Sequence, residues 1–392
     1  MKVVGGTYLE QVEMPSDVEL GGSGLRAARA LLGWRTDVEL VSCVDDSLKE
    51  TALSVSAATG LRATWFARDR AITYHYLNPL FVPVQSGRGA VAELPDVEAK
   101  AALAFGMVEC QPTIRAEALV YDVQGVVDLD EVAAALAGSQ RVALLANSRE
   151  LTGLAGIDDP RNGARALRKR LGVEAVVCKY AARGVIVADE RGTHHVGPYP
   201  TETVWPIGSG DVFAAGFAHA WLSGAKARHA ARRGSFAASR WCSTRRLGAV
   251  AAQQTTPKAP PLPKPGKVYL AGPFFDLGQR MLLEDVRDAL RDLGADVFSP
   301  LHDVGVGGPE AGAMDLLALR ECTSVLALLD GHDPGTILEC GWARHAGTPV
   351  VGYAHHIGRE ANTMLVASGA ELHNDLPSAV YRAIWAGAGV LP

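Results

Sequence analysis

The stretch DPGTILECGWA, Asp333–Ala343, lies between two apolar runs, SVLALL at 324–329 and TPVVGYA at 348–354. Glycine and proline separate the first run from an amphipathic segment, and the second run is rich in valine. This alternation predicts a strand, a short loop, a helix and another strand. Strands and helices that alternate in this way are typical of an α/β layer built on a parallel sheet.

Three acidic residues follow the first of these strands. Asp330 and Asp333 lie in the predicted loop, and we expect Glu339 in the first turn of the helix. A carboxylate there lies near the positive end of the helix dipole and should stay ionised, as a nucleophile must. The alternative is purely structural, because Thr336 and Glu339 match the T-x-x-E pattern of a helix capping box.

The bulk composition is that of a globular protein. The 392 residues are 48% hydrophobic and 21% charged, with a formal net charge of −5, which gives no reason to expect nucleic acid or an anionic membrane as a partner. The six cysteines are scattered without a CxxC pair, so we expect small buried side chains in a reducing compartment. With no signal-like segment at the N-terminus, a cytoplasmic enzyme is the expectation.

One stretch interrupts the pattern. QQTTPKAPPLPKPG, residues 253–266, has five prolines and predicts an extended linker, because proline disfavours helix and central strand. The predicted domains are therefore residues 1–252 and 267–392, and both show the α/β alternation.

In the second domain, several polar residues end strands or begin helices. Tyr269 lies in the strand of KVYLAGPFF at 267–275, Asp315 lies on a helix, and Asp330, Asp333 and Glu339 follow the next strand. The carboxyl ends of parallel strands face one crevice. Several acids and a tyrosine in one crevice suit glycosidic-bond chemistry, in which one carboxylate attacks the anomeric carbon and another acid protonates the leaving group.

The motifs Y-L-A-G-P and L-D-G-x-D-x-G-T-x-x-E-x-G-x-A resemble the nucleoside 2-deoxyribosyltransferase family over residues 268–375, including relatives that hydrolyse nucleoside monophosphates. The resemblance implies a flavodoxin-like domain that needs no cofactor. It implies Glu339 as the nucleophile, Asp333 for base binding or proton transfer, Asp315 as a further acid and Tyr269 as the residue that orients the nucleophile.

The same resemblance implies further substrate contacts and an assembly. The segment REANTML at 359–365 is similar to one that reaches a neighbouring subunit's site in the family, so we expect a homo-oligomer with Asn362 near the 5′ end of the sugar. The implied substrate-binding residues of this domain are Gly272, Asp330, Gly335, Asn362 and Met364.

The first domain carries three weaker motifs. A glycine-rich turn, GGSG at 21–24, precedes a helix, Asn147 and Glu150 form N-x-x-E at a strand end, and PIGSGD at 206–211 precedes an apolar helix. Backbone amides at such a helix start can hold developing phosphate charge, and Asp211 could accept a proton from a hydroxyl. Each motif has a structural alternative, respectively a tight turn, a helix start and an aspartate that stabilises a helix start.

The order of these motifs resembles the ribokinase-like, phosphofructokinase-B-type kinases of sugars and nucleosides over about residues 1–250. The resemblance implies a doubly wound α/β sandwich with Asp211 as catalytic base, and possible use of ATP and Mg²⁺. The implied cofactor-binding residues are Gly208, Ser209, Gly210, Asn147 and Glu150, and the implied acceptor-binding residues are Gly21, Gly22 and Arg26.

This domain departs from the family pattern in its acceptor pocket. Arg26 stands where the family usually has asparagine, Glu10 is the acid nearest to the missing first aspartate, and Lys179-Tyr180 replaces a glycine. Arg26 could pair with a phosphate or carboxylate of an unusual substrate, or phosphorylation could have been lost.

The sequence therefore predicts an α/β protein in which a ribokinase-like sandwich precedes a flavodoxin-like domain. The expected function is cleavage or exchange of the N-glycosidic bond of a (deoxy)nucleoside or its monophosphate through a glycosyl–Glu339 intermediate. The alternative is an ATP-dependent sugar or nucleoside kinase whose second domain only senses nucleotide.

Overall fold

The computed structural model describes residues 1–35, 37–87, 89–110, 112–125, 128–252, 255–258, 260–356, 358 and 362–391. The chain forms two compact units, Met1–Tyr199 with Pro206–Ala259 and Pro200–Trp205 with Pro260–Pro392. We refer to them as the first unit and the second unit.

Strands and helices alternate along most of the first unit. Its strands are β1 (Lys2–Val4), β2 (Tyr8–Val12), β3 (Asp17–Gly21), β4 (Glu39–Val44), β5 (Arg62–Ala67), β6 (Thr73–Tyr76), β7 (Val84–Ser86), β8 (Val97–Phe105), β9 (Ile114–Asp122), β10 (Arg141–Asn147), β11 (Ala175–Lys179), β12 (Val185–Asp189) and β13 (Gly192–Val196). Its helices are α1 (Ser23–Leu32), α2 (Asp46–Thr59), α3 (Leu129–Leu136), α4 (Ser148–Ala155), α5 (Pro160–Leu171), α6 (Ser209–Leu222), α7 (Ala227–Thr244) and α8 (Leu247–Ala252).

The main sheet of the first unit has the strand order β13-β12-β11-β10-β9-β8-β1-β4-β5. Pairing is parallel from β11 through to β5 and antiparallel at the β11, β12 and β13 edge. The central strands are apolar almost throughout, as in VALLA of β10, because helices cover both faces of such a sheet. A smaller sheet, β3-β2-β6-β7, was not predicted from the sequence.

Close helix packing holds α6, the helix that begins within the G-x-G-D motif. A Cβ on Gly234 of α7 would lie 2.7 Å from the carbonyl oxygen of Phe213, and one on Gly216 would lie 3.0 Å from the Cβ of Ala237. Glycine at these two positions therefore lets α6 and α7 approach closely, and α7 keeps the start of α6 in place.

The second unit has a simpler architecture. Its strands are β14 (Lys267–Ala271), β15 (Asp296–Phe298), β16 (Ser324–Leu328), β17 (Val350–Tyr353) and β18 (Glu371–His373). Its helices are α9 (Leu277–Asp292), α10 (Pro300–Asp303), α11 (Pro309–Glu321), α12 (Pro334–His345), α13 (Thr363–Ala367) and α14 (Leu376–Gly387).

Every strand pair of this unit that the structure describes is parallel, in the order β15-β14-β16-β17-β18. Numbered from β14, this order is 2-1-3-4-5, that of flavodoxin-like folds. The predicted strand, loop, helix and strand around Asp333–Ala343 are confirmed as β16, a short loop, α12 and β17.

The proline-rich stretch lies partly outside the described residues, which omit 253, 254 and 259. In its described part, 255–258 and 260–266, the backbone forms neither helix nor strand. Residues 200–205 group with the second unit, where the Val204 amide donates to Ser378 Oγ at 2.8 Å. The predicted domain boundaries, 1–252, 253–266 and 267–392, stay a prediction.

Within the described residues, no helix combines the length and apolar character needed to cross a membrane. None of the six cysteines forms a disulfide. Five are buried, and Cys242 is partly exposed.

Candidate functional site

Helix α12 begins one residue after Asp333, and this start differs from the predicted one. Asp333 is the N-cap, and its Oδ2 accepts hydrogen bonds from Thr336 N at 2.7 Å and Thr336 Oγ1 at 2.9 Å. The T-x-x-E capping box was therefore wrong, because Asp333 takes the capping role. Glu339 is the sixth helical residue and lies in the second turn, beyond the unpaired amides of the first.

Glu339 is instead hydrogen-bonded to Tyr269 of strand β14. The Tyr269 hydroxyl donates to Glu339 Oε1 at 2.6 Å. Tyr269 is fully buried on β14, and its ring stacks on Phe298 of β15 at a centroid distance of 5.4 Å. A tyrosine held this firmly fixes one oxygen of Glu339 at the carboxyl edge of the sheet.

The expectation that Glu339 stays fully ionised was wrong. Burial, together with the charges of Asp315 and Asp333, raises the pKa of Glu339 to about 7, although the hydrogen bond from Tyr269 lowers it. Near neutral pH, the carboxyl therefore exists in both protonation states.

Asp315 belongs to the same group of acids. It lies on α11, its charge raises the pKa values of both Glu339 and Tyr269, and burial raises its own pKa. Its Oδ1 is buried without a hydrogen-bond partner among the described residues. An acid in this state can carry a proton and donate it to a ligand atom.

The other residues predicted in the second unit either lie at the site or stabilise the segments around it. Asp330 accepts the His355 amide with both oxygens, at 2.9 and 3.1 Å, and so anchors the loop after β17. A Cβ on Gly272 would lie 3.1 Å from the Cβ of Leu328, and one on Gly335 would lie 3.0 Å from Asp333 Oδ2. Both glycines therefore have a packing reason beside the proposed substrate role.

The two predicted residues of the segment at 359–365 behave differently. Residues 359–361 lie outside the described residues. Asn362 is 1% exposed, donates from Nδ2 to Gly358 O at 3.1 Å, and leaves Oδ1 buried without a described partner. Met364 is 80% exposed, so Met364 rather than Asn362 is presented outward.

In the first unit, the structure brings the G-x-G-D motif and Arg26 together. Gly208 caps α6 in the left-handed region with φ 76°, and Ser209 and Gly210 begin the helix. Asp211 is 7% exposed, and its Oδ2 accepts Arg26 Nη1 at 2.7 Å. Burial raises the pKa of Asp211, although Arg26 lowers it.

Arg26 also pairs with Glu10 and is 2% exposed. Burial lowers the Arg26 pKa, but Glu10 and Asp211 raise it above its usual value. Gly22 donates its amide to Glu10 Oε1 at 3.1 Å, so the glycine turn binds a carboxylate of the chain itself. Gly22 is thus joined to the G-x-G-D motif through Glu10 and Arg26, and Gly21 lies against both of these side chains.

The N-x-x-E motif forms a complete capping box at the start of α4. Asn147 Oδ1 accepts the Glu150 amide at 2.9 Å, and Glu150 Oε2 accepts the Asn147 amide at 2.7 Å. Glu150 Oε1 accepts Gly125 N at 2.9 Å. The side-chain oxygens that would organise Mg²⁺–ATP are therefore used by the backbone in this arrangement.

A second buried ion pair was missed in the sequence. Lys179 Nζ donates to both oxygens of Asp122 at 2.6 and 2.7 Å, and burial raises the pKa of Asp122 to about 7. A Cβ on Gly210 would lie 3.5 Å from Lys179 Nζ, so this cation flanks the start of α6. The sequence feature that could have indicated this ion pair is that Asp122 and Lys179 each end an apolar strand.

Over the part of the chain that the structure describes, no group of three or more His, Cys, Asp or Glu side chains could hold a metal ion. A magnesium ion bound with ATP would also draw oxygens from the nucleotide. On the acceptor side, the Arg26 side chain occupies the space beside Gly208.

Comparison with known proteins assigns a family to a segment of each unit. Residues 129–254 match the model of the pfkB family of carbohydrate kinases, and residues 268–373 match that of nucleoside 2-deoxyribosyltransferase. No curated protein sequence matches the chain.

Solved structures resemble the first unit in fold. A sulfate complex of a pyrophosphate-dependent kinase in the ribokinase family has a TM-score of 0.51 at 17% identity, and a kinase of the same description bound to a pyrophosphate analogue and myo-inositol has 0.50 at 16%. Both alignments cover 64% of this chain and 100% of the other. At these identities the likeness shows the fold alone.

The class of the protein is thus a ribokinase-like α/β sandwich followed by a flavodoxin-like α/β domain, as predicted. The chain joins a domain of the pfkB carbohydrate kinase family to a domain of the nucleoside 2-deoxyribosyltransferase family.

The raised pKa of Glu339 predicts a pH-dependent cost in stability. The folded state favours the protonated carboxyl between pH 4.5, its usual pKa, and about 7, so this contribution to stability is present below 4.5 and is lost as the pH rises through 7. We expect Glu339→Gln to raise the free energy of unfolding by about 1–3 kcal/mol near pH 8.5 and to change it little near pH 4.5.

Calorimetry of the full chain at both pH values measures this difference. Glu321→Gln, at an exposed position on α11, is the control and should show no such pH dependence. An equal effect of Glu339→Gln at both pH values would contradict the raised pKa.

Proposed function

We propose that the second unit cleaves or exchanges the N-glycosidic bond of a (deoxy)nucleoside or its monophosphate through a covalent glycosyl–Glu339 intermediate. The observation that carries this proposal is the hydrogen bond of 2.6 Å from Tyr269 to Glu339 Oε1, beside Asp315 and Asp333. The family match of residues 268–373 supports the same chemistry.

The first step uses the oxygen of Glu339 that Tyr269 does not bind. Ionised Glu339 attacks C1′ of the sugar, a new C1′–O bond forms, and the C1′–N bond breaks with its electron pair passing to the base. Tyr269 keeps the carboxylate in one orientation during the attack, which reduces the entropy lost on reaching the transition state.

The departing base needs a proton. Asp315 is suited to supply it, because burial raises its pKa and its Oδ1 is buried without a described partner. Asp333, held by Thr336 through Oδ2, is suited to orient the base or to share the proton transfer. The two acids thus have complementary roles around one nucleophile.

The second step decides between hydrolysis and transfer. Water attacking C1′ releases the free sugar, and a second base attacking C1′ gives a new nucleoside; in both cases the C1′–O bond breaks and Glu339 leaves as a carboxylate. No cofactor takes part in either step of this proposal. Asn362, Gly272, Asp330 and Gly335 are the proposed contacts or supports of the substrate.

The alternative function is an ATP-dependent sugar or nucleoside kinase whose second unit only senses nucleotide. The pfkB match of residues 129–254 favours it, with ATP and Mg²⁺ as cofactors and Asp211 as base. The pairing of Asp211 with Arg26 disfavours it.

A homo-oligomer is proposed from the apolar surface of the second unit. Leu317 on α11, Leu338 on α12 and Met364 on α13 are 62%, 59% and 80% exposed. These three side chains are the proposed contacts between copies of the chain.

Removal of the nucleophile tests the central proposal. Glu339→Ala is expected to lower the rate of base release from deoxynucleosides and their monophosphates at least about 1000-fold, because the covalent path is lost. Chromatography of free base measures the rate, and mass spectrometry of the wild type detects the glycosyl adduct on Glu339. Glu321→Gln serves as the control; unchanged base release in Glu339→Ala would rule out the glycosyl–Glu339 mechanism.

The pH profile tests the role of Tyr269. Base release by the wild type should fall as the pH drops below about 7, because Glu339 becomes protonated. Tyr269→Phe removes the hydrogen bond that lowers the Glu339 pKa, so the acidic limb of kcat/KM against pH should move to higher pH. An unmoved limb would show that Tyr269 does not control the nucleophile.

Sedimentation of the full chain tests the assembly. We expect a mass above that of one chain, and a shift toward the single chain in Leu317→Lys, because burying a charge at an apolar interface is unfavourable. Leu53→Lys, at a 50% exposed position on α2 of the first unit, is the matched control. A wild type that sediments as a single chain at micromolar concentration would rule out a stable oligomer.

A further inference from the structure

Phosphoryl transfer to a hydroxyl needs two things at the start of α6. It needs a carboxylate whose oxygen can accept the hydroxyl proton, and it needs open space for the acceptor beside the amides of the helix start. In this unit the carboxylate is Asp211, and the space lies beside Gly208.

Both oxygens of Asp211 already accept hydrogen bonds from the chain. Arg26 Nη1 donates to Oδ2 at 2.7 Å, and Gln124 Nε2 donates to Oδ1 at 3.2 Å. The second prong of the guanidinium, Nη2, pairs with Glu10. Arg26 thus bridges two buried carboxylates, an arrangement for which its planar fork is suited.

The side chain of Arg26 also fills the space beside the helix start. A Cβ on Gly208 would overlap the Arg26 side chain, and a Cβ on Gly21 would overlap both Arg26 and Glu10. The guanidinium lies 5.6 Å from the ring centroid of Trp241, which covers it from α7. Glycine in these two motifs therefore makes room for Arg26.

We propose that Arg26 closes the acceptor site of the first unit and holds Asp211 as its structural counter-ion, so that this unit does not transfer phosphoryl groups. A proton taken up by Asp211 would neutralise it and leave Arg26 with Glu10 alone. An acceptor that displaced Arg26 would leave two buried carboxylates without their cation, which is strongly unfavourable.

The pairing of Arg26 with Asp211 lies within the first unit and is independent of the glycosidic chemistry proposed for the second. Arg26 and Asp211 should therefore be energetically coupled, and the first unit should not transfer phosphoryl groups. If Asp211 were instead a general base, replacing it would lower the rate of ATP consumption.

A double-mutant cycle in the full chain measures the coupling. Asp211→Asn is expected to lower the unfolding midpoint of the first unit by about 10 °C, because one partner of a buried ion pair is lost. The double variant Arg26→Asn/Asp211→Asn should lose clearly less than the sum of the two single variants. Arg29→Asn, on the same helix with a side chain 28% exposed, is the control and should be additive with Asp211→Asn.

ADP formation from Mg²⁺–ATP is measured on the same wild-type protein with a panel of nucleosides and sugars. We expect no increase over the acceptor-free rate. If Arg26→Asn does not fold, Arg26→Lys, which keeps the charge but not the fork, replaces it in the cycle.

Acceptor-dependent ADP formation that Asp211→Asn reduces would overturn the proposal, whatever the stability data show. Additive stability effects of the two substitutions would also overturn it, because Asp211 would then not be held by Arg26. Base release is assayed separately, so that a failure of the glycosidic proposal is seen independently.

Discussion

The second unit depends on the hydrogen bond between the Tyr269 hydroxyl and Glu339 Oε1. It ties the first strand of the parallel sheet to the helix after the third, at the edge where Asp315 and Asp333 also lie. Because Tyr269 is fully buried, the carboxyl it holds is partly withdrawn from water. The same burial that makes Glu339 costly to ionise makes it reactive once ionised, because water no longer stabilises its charge.

Buried carboxyl groups have opposite surroundings in the two units. Glu339 receives a bond from a neutral hydroxyl and lies near two further acids, so burial raises its pKa to about 7. Asp211 receives bonds from Arg26 and Gln124, and Asp122 is held by Lys179. Burial raises the pKa of all three carboxyl groups; a hydrogen bond from a neutral hydroxyl opposes this effect at Glu339, and the charge of a fixed cation opposes it at Asp211 and Asp122.

The first unit therefore keeps the fold of a kinase family with an altered site. Each of the three motifs expected to bind phosphate or magnesium contacts other groups of the chain. Glu10 accepts the Gly22 amide, Asn147 and Glu150 cap each other, and Arg26 lies against Gly208.

The sequence by itself determined the layered α/β class, the order of the elements around Asp333–Ala343 and the two families, because periodicity and motif spacing are local properties of the chain. Only the tertiary structure decided which side chains meet. Glu339 lies in the second turn of α12 and bonds to Tyr269, 70 residues earlier. Arg26 meets Asp211 across a separation of 185 residues. Partners and burial set the protonation and availability of these groups, and both arise from packing between segments far apart in the chain.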